Sequence, residues 1–389
     1  MRKFFSHAII LFILLLVSGA STLSNNKTII IIGWLFFFGV YLYIVREIRP
    51  LLIILPVLFI GISVLYYLRN DAYNEVTYLG FFMNVFLAYF CRGICDEDFF
   101  DYYVNIIYVL TCITIPFFII QLINFDVLFT ANNLFGAAEG NEIISSSLFF
   151  AMVEIHRFRN CGFMWEPGAF AAILILTIYI NTFKQGESLF SRKNLVFIFA
   201  ILTTQSTMGV LSLLIPIWLV LMKAISENEI FQRLSVIVVP TLIAVFAVVF
   251  LNVDFLSAKL IEEITSVDEE MEMVIERDKD DLKSSVSRTA SILIDSKAIE
   301  QYPALGLGVD MQTTGESKME FASMAITACG LTTLTLRFGI IGFIGYMFLY
   351  YKKAFFEEKV HRIGWVVTIF FILFSNEISA SAFLHMFVF

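Results

Sequence analysis

Thr28-Ile-Ile-Ile-Ile-Gly33-Trp34-Leu-Phe-Phe-Phe-Gly39-Val-Tyr-Leu-Tyr-Ile-Val45-Arg46 carries no charge until its last residue. A helix needs about 20 such residues to cross the roughly 30 Å of bilayer hydrocarbon. The stretch therefore reads as a membrane span, and comparable windows recur along the chain. They lie near 4–23, 50–68, 76–92, 102–123, 166–184, 193–206, 208–224, 231–252 and 328–351. The end, 361–389, is either one long span or a span plus a short returning helix around Ser375–Ser381. The expected fold is an all-α integral membrane protein of about 11–12 transmembrane helices, with 1–389 as a single polytopic domain.

Composition agrees with that reading. Of 389 residues 59% are hydrophobic, 15% are charged and 43 are Phe; the mean hydropathy is +0.83. One aqueous core cannot hide so much apolar surface, so lipid is the solvent. Arg2/Lys3, Arg46/Arg49, Arg92, Lys184/Arg192/Lys193, Lys223/Arg233 and Lys352/Lys353/Lys359/Arg362 fall in alternate connections. By the positive-inside rule these are cytoplasmic, as is the N-terminus. Two long connections, 124–165 and 253–327, are then external. The second runs polar from Phe255 to Thr327 and is expected to hold amphipathic helices. Its acidic run Glu262–Asp281 has apolar residues at three- and four-residue spacing, which describes a helix with one solvated acidic face.

Met1–Thr22 has the outline of a cleavable signal peptide, but the spans that follow favour a first span acting as signal anchor. The five Cys residues match no zinc spacing. The compartment permits a Cys161–Cys329 disulfide, with nothing else in its favour. The sequence holds no Gly-rich phosphate loop, no His-Glu-x-x-His and no Gly-x-Ser-x-Gly elbow. Asp96-Glu97-Asp98 is read as the acidic start of a helix rather than a metal site. No metal, cofactor or nucleic-acid partner is expected. The net charge of −8 mostly reflects the acidic external run.

Two external constellations can carry chemistry. In His156-Arg157-Phe-Arg159-Asn-Cys161-Gly162-Phe-Met-Trp165-Glu166-Pro167, two arginines stand close together on the side where arginine is scarce. Clustered guanidinium groups bind phosphates bidentately, and they also serve as headgroup anchors. Glu166-Pro167 suits a helix start, where a carboxylate complements the positive end and Pro lacks only an orphan N–H. In the second, Ser287-Arg288 opens a stretch with Ile292, Leu293, Ala298, Ile299 and Tyr302 at helical spacing, stopped by Pro303 and Gly306-Leu-Gly308. Ser285 or Ser287 would cap it, and Arg288 at its start asks for an anionic partner. Arg337 lies in the outer third of a span, where a charge costs about 2.5–3.5 kcal/mol on insertion scales and marks function by default. Otherwise that span starts late, near Arg337. Glu377 and His385 are similar, weaker cases.

These pieces together resemble the O-antigen polymerase and ligase family, membrane glycosyltransferases that act on undecaprenyl-diphosphate-linked sugars. Arg159-Asn-Cys-Gly162-Phe163 running into Glu166-Pro167 resembles the family's Arg-x-x-Gly-Phe…Pro segment. Thr203-Thr-Gln-Ser-Thr207 resembles its Thr-x-Ser junction. Ser287-Arg288 followed by Pro303-x-x-Gly306-x-Gly308 resembles the long-loop signature, and Arg337-Phe-Gly339-Ile-Ile-Gly342 the start of the next span. Ligases of the family carry a His-Asn pair where this chain has Phe321-Ala-Ser323-Met-Ala, which argues for a polymerase.

The resemblance implies a polymerase of lipid-linked repeat units of O-antigen or capsular polysaccharide, in a bacterial inner membrane and acting on its outer face. Ligase and flippase are the alternatives. Its partners would be an undecaprenyl-diphosphate-linked oligosaccharide, the bilayer and a chain-length regulator protein. Arg159 and Arg288, aided by Arg157 and Arg337, would clamp the diphosphate, and Glu166 is the candidate base.

Overall fold

The computed structural model describes residues 1–20, 24, 26–46, 49–69, 74–132, 144–147, 149–227, 288–310 and 329–389; of 288–291 and 294 it describes the backbone alone. The expected span 231–252, the acidic run Glu262–Asp281, Ser285, Ser287 and the Phe321 segment lie outside these residues.

The helices follow the apolar windows. In chain order they are α1 Arg2–Ser18, α2 Lys27–Val45, α3 Leu51–Arg69, α4 Glu75–Cys95, α5 Phe99–Ile123, α6 Phe125–Asn132, α7 Pro167–Phe183, α8 Arg192–Thr204, α9 Thr207–Glu227, α10 Arg288–Gln301, α11 Gly330–Lys352, α12 Lys359–Ser375 and α13 Ala382–His385. Among the described residues five helical stretches are long and apolar enough to cross a membrane: α2, α3, the α4–α5 run over Glu75–Ile123, Thr207–Ile225 within α9, and α11. Asn26 and Asn74 start α2 and α4 by accepting two backbone N–H groups each, which satisfies donors that a helix start leaves orphaned. Among the described residues one feature departs from an all-helical fold. A short hairpin, β1 Ile144–Ser146 against β2 Ala151–Val153, pairs Ser145 with Met152 in antiparallel register. It lies in the 124–165 connection, where the backbone has left any helix and the two strands satisfy each other's polar groups.

Burial divides the helices into core and lipid-facing sets. Every residue of α7 from Pro167 to Asn181 is buried, as befits a helix apolar on all sides. Helices α8, α9, α12 and α5 surround it. By contrast, α3 exposes Ile53, Val57 and Leu58, each more than half accessible. A continuous apolar face of that kind is untenable in water and ordinary in hydrocarbon.

Contacts sort the connections into two ends. At one end Arg2 pairs with Asp96 at 2.9 Å. There too Lys193 donates to Asn105 at 2.8 Å, Gln185 to Asp101 at 2.8 Å, and Arg362 to the Phe356 carbonyl at 2.7 Å. The basic connections of the sequence thus gather together, and Asp96–Asp98 forms a 3-10 turn leading into α5. At the opposite end Trp165 N donates to the Ser18 carbonyl, and Gln121 donates to the carbonyls of Arg157 and Arg159.

The C-terminal segment comes nearer the second of its two expected forms, but its short helix is at Ala382–His385 and not around Ser375–Ser381. After α12 the chain turns at Asn376 and runs back into the bundle. Tyr346 donates to the Ser379 carbonyl at 3.0 Å and Tyr350 to that of Leu384 at 2.8 Å. Phe387 packs on Trp365 and Tyr103, and Phe389 on Tyr89. Irregular backbone at membrane depth survives only when protein surrounds it, and nearly all of 376–389 is buried or half-buried among aromatic side chains.

Candidate functional site

The four motif segments meet at the end opposite the basic connections, and they do so in pairs. The first pair is Arg159-Asn160 with the α8–α9 junction. Asn160 exchanges both backbone and side chain with Thr203, its N bonding the carbonyl at 3.0 Å and its Nδ2 the hydroxyl at 3.0 Å. Arg159 Nε donates to the Thr204 carbonyl at 3.0 Å and Nη2 to that of Gln205 at 3.3 Å. A cation on the last carbonyls of a helix satisfies orphan acceptors and complements the negative helix end. Gln205 itself sits in the left-handed region, φ 48°, letting α9 begin at Thr207 after a two-residue break.

The second pair is the Pro303–Gly308 turn with the Arg337–Gly339 segment. Helix α11 breaks at Gly339, where φ is 68° and ψ −179°. The break frees backbone groups, and the turn takes them up. Leu307 N bonds the Leu336 carbonyl at 2.6 Å, Gly308 N that of Arg337 at 2.9 Å, and Ile340 N donates to the Pro303 carbonyl at 2.8 Å. From α3, Arg69 Nη1 donates to the Gly306 carbonyl at 2.8 Å, and Tyr66 donates to Leu305. Glycine is required on both sides of this contact. A Cβ on Gly306 would lie 2.6 Å from Gly339 N, and one on Gly339 would fall on the Ala304 carbonyl. Both residues also have positive φ. Helix α10 leads into the turn as expected, ending at Gln301, with Ala298, Leu307 and Leu336 packed together.

Arg337 is held by Glu377, Nη1 to Oε1 at 2.6 Å, and by the Ser379 hydroxyl at 3.2 Å. Ser379 in turn donates to the same Glu377 oxygen at 3.0 Å. The helix containing Arg337 begins at Gly330 and is interrupted at Gly339, two residues past the charge, so Arg337 lies near the end of a short first segment and the helix runs on from Ile340. Next to this pair lies a carboxyl that the sequence reading passed over. Asp295 of α10 is 0% exposed; Thr332 of α11 donates to its Oδ2, while its Oδ1 has no partner among the described residues. Burial, reinforced by the Glu377 charge and opposed by the Thr332 hydrogen bond, raises its pKa to about 7. Arg337 Nε and both side-chain heteroatoms of Asn376 likewise have no partner among the described residues.

Glu166 joins the two pairs. It precedes Pro167 at the start of α7 without a capping hydrogen bond from its side chain. Gly168 faces both it and the C-terminal turn; a Cβ there would lie 3.2 Å from Asn376 Oδ1 and 3.4 Å from Glu166 Oε1. Thus Glu166, Asn376, Glu377, Arg337 and Asp295 occupy one neighbourhood. Arg157 stands apart from it. Half-exposed, it pairs with Asp126 at 3.4 Å and Glu154 at 3.2 Å and lies over the Phe125 ring. Arg288 is the first residue of α10.

The five cysteines are free, and burial pushes the Cys161 thiol up to about 12, which suits a packing role. Among the described residues no group of three or more His, Cys, Asp or Glu is placed to hold a metal. A separate cavity of about 480 Å³ opens at the basic end, lined in part by Lys184, Lys223, Glu358 and His361. Compared with known proteins, the chain matches no family model, no curated protein and no solved structure.

Proposed function

We propose that this protein is a metal-independent glycosyltransferase of a bacterial inner membrane that polymerises polyprenyl-diphosphate-linked oligosaccharides on the outer face. The observation that carries the reading is convergence. Four segments distant in sequence, each similar to a motif of the O-antigen polymerase and ligase family, pack in two pairs at the end away from the basic connections. With the positive-inside rule that end is external and the N-terminus cytoplasmic.

In this reading a sugar hydroxyl of one lipid-linked unit attacks the anomeric carbon of another, and the lipid diphosphate leaves with the bonding electrons. Arg159 and Arg288 supply the positive charge that the leaving group needs, in surroundings of low dielectric. Arg337, its charge offset by Glu377, stands beside the clamp rather than in it, and Arg157, already paired twice at the surface, is an entry-side contact. A translocase for the same lipid-linked glycan is a second reading. It is favoured by the broken helix at Gly339 beside a buried charge, an arrangement that also lines transport sites.

The deciding experiment uses purified protein in proteoliposomes with lipid-linked repeat units presented on both leaflets. A polymerase lengthens the glycan in the presence of EDTA. Movement of single units between leaflets without lengthening supports the translocase instead.

A further inference from the structure

Asp295, Arg337 and Asn376 leave four polar atoms without partners among the described residues: Asp295 Oδ1, Arg337 Nε, Asn376 Oδ1 and Asn376 Nδ2. Asp295 is 0% and Asn376 2% exposed, so bulk water does not reach these groups freely. Buried polar atoms are nearly always satisfied, and four orphans in one neighbourhood form a set built for something else to complete. The set mixes two donors-in-waiting with two acceptors. A phosphate would satisfy only the donors and would meet the carboxyls of Asp295 and Glu377 with like charge. A metal ion would be met by the Arg337 guanidinium. Sugar hydroxyls each donate and accept, and match the mixture. The Glu377 side chain is 26% exposed, so the neighbourhood is not wholly enclosed.

We propose that Asp295, Arg337 and Asn376 form the acceptor-sugar subsite, with Asp295 taking the proton from the attacking hydroxyl. This rests on the glycosyltransferase reading above and assigns the base to Asp295 in place of Glu166. In the step, the hydroxyl oxygen bonds to the anomeric carbon as the bond from that carbon to the diphosphate oxygen breaks. The diphosphate leaves with the electron pair, and the hydroxyl proton passes to Asp295 Oδ1. Thr332, donating to Oδ2, holds the carboxyl so that Oδ1 is the free face. A pKa near 7 leaves Asp295 able both to accept this proton and to release it afterwards. Asn376, both of whose amide atoms lack partners, would grip adjacent hydroxyls.

The test uses membrane vesicles from a strain lacking the gene, which hold its own lipid-linked repeat units, loaded with wild type, Asp295→Asn, Asp295→Ala or Asn376→Ala at matched protein level. Asp295→Asn should slow chain extension about 100-fold or more, the range for a lost general base. Asp295→Ala should be equally slow and should recover at least tenfold with added formate, a small carboxylate able to enter the vacated place. Misfolded protein cannot be rescued in this way. Asn376→Ala should slow extension at least tenfold. Binding of undecaprenyl diphosphate to the purified variants should match wild type. The proposal is overturned if Asp295→Asn or Asn376→Ala extends chains within threefold of wild type. Absence of formate rescue, or joint loss of diphosphate binding, also overturns it. Wild-type vesicles that extend no chains mean that the glycosyltransferase reading itself has failed and the subsite with it, which is distinct from extension by wild type and variant alike.

Discussion

Gly339→Ala should be among the most damaging single-methyl additions in the protein. The residue sits at φ 68° and ψ −179°, a region essentially restricted to glycine, where another residue costs about 1–3 kcal/mol in strain. The new methyl would also fall on the Ala304 carbonyl and push the Pro303–Gly308 turn away. Three backbone hydrogen bonds cross this contact, at 2.6, 2.9 and 2.8 Å, and each is worth about 0.5–1.5 kcal/mol net. Strain and lost bonds together come to roughly 3–7 kcal/mol. Gly345 in the same helix is the internal control, since a Cβ there meets nothing within 4 Å. At that position the change to Ala should be neutral or stabilising by about 0.5–1 kcal/mol. Thermal unfolding of the detergent-purified proteins, followed by Trp fluorescence, reads both. Gly339→Ala should lower Tm by at least about 5 °C and Gly345→Ala should not. Equal Tm values for Gly339→Ala and wild type would refute the backbone docking of these two motifs.

Three other outcomes follow from the same structure. Arg337→Ala or Glu377→Ala alone leaves a charge unpaired in a largely buried place and should cost about 3–5 kcal/mol, whereas Arg337→Met with Glu377→Leu should recover much of it; melting of the three variants measures this. Asp295 has a folded pKa of about 7, above its ordinary value of 3.8, so the folded state binds the proton more tightly than the unfolded one. Its contribution to stability is therefore full below about pH 4 and is lost as pH rises to about 7, a slope on the order of a few kcal/mol that Asp295→Asn should abolish in melts across that range. In a cysteine-free background, a membrane-impermeant maleimide applied to intact cells should label a cysteine at Phe158 and not one at Ser188; the reverse would invert the topology.

The spans were legible because a lipid-facing helix announces itself by length and lack of charge, and α2, α3 and α9 match their windows within a few residues. The helix after Arg288 and its stop before Pro303 were legible from spacing and from proline chemistry. What could not be read was which motifs touch. Nothing local in Gly306 or Gly339 says that each lacks a side chain for the sake of the other, because that contact joins residues far apart in sequence. Asp295 was missed for a similar reason. It looks like one polar residue on a short amphipathic helix, and only the packing of α10 on α11 reveals that its carboxyl is buried against Thr332. The hairpin at Ile144–Val153 gave no signal either, since three-residue strands are too short for alternation to show. Arg159 was singled out for its charge, and the structure adds that it also closes the end of α8.

That double role makes Arg159 the residue on which the functional account turns, together with Arg288. The most direct measurement is the length of surface glycan on a gel from a strain lacking the gene, complemented with wild type, Arg159→Ala, Arg159→Lys or Arg288→Ala, with protein levels checked by immunoblot. The account predicts single repeat units in the deletion, long chains with wild type, and single units with each arginine variant at normal protein level. Long chains restored in full by both Arg159→Ala and Arg288→Ala would contradict it.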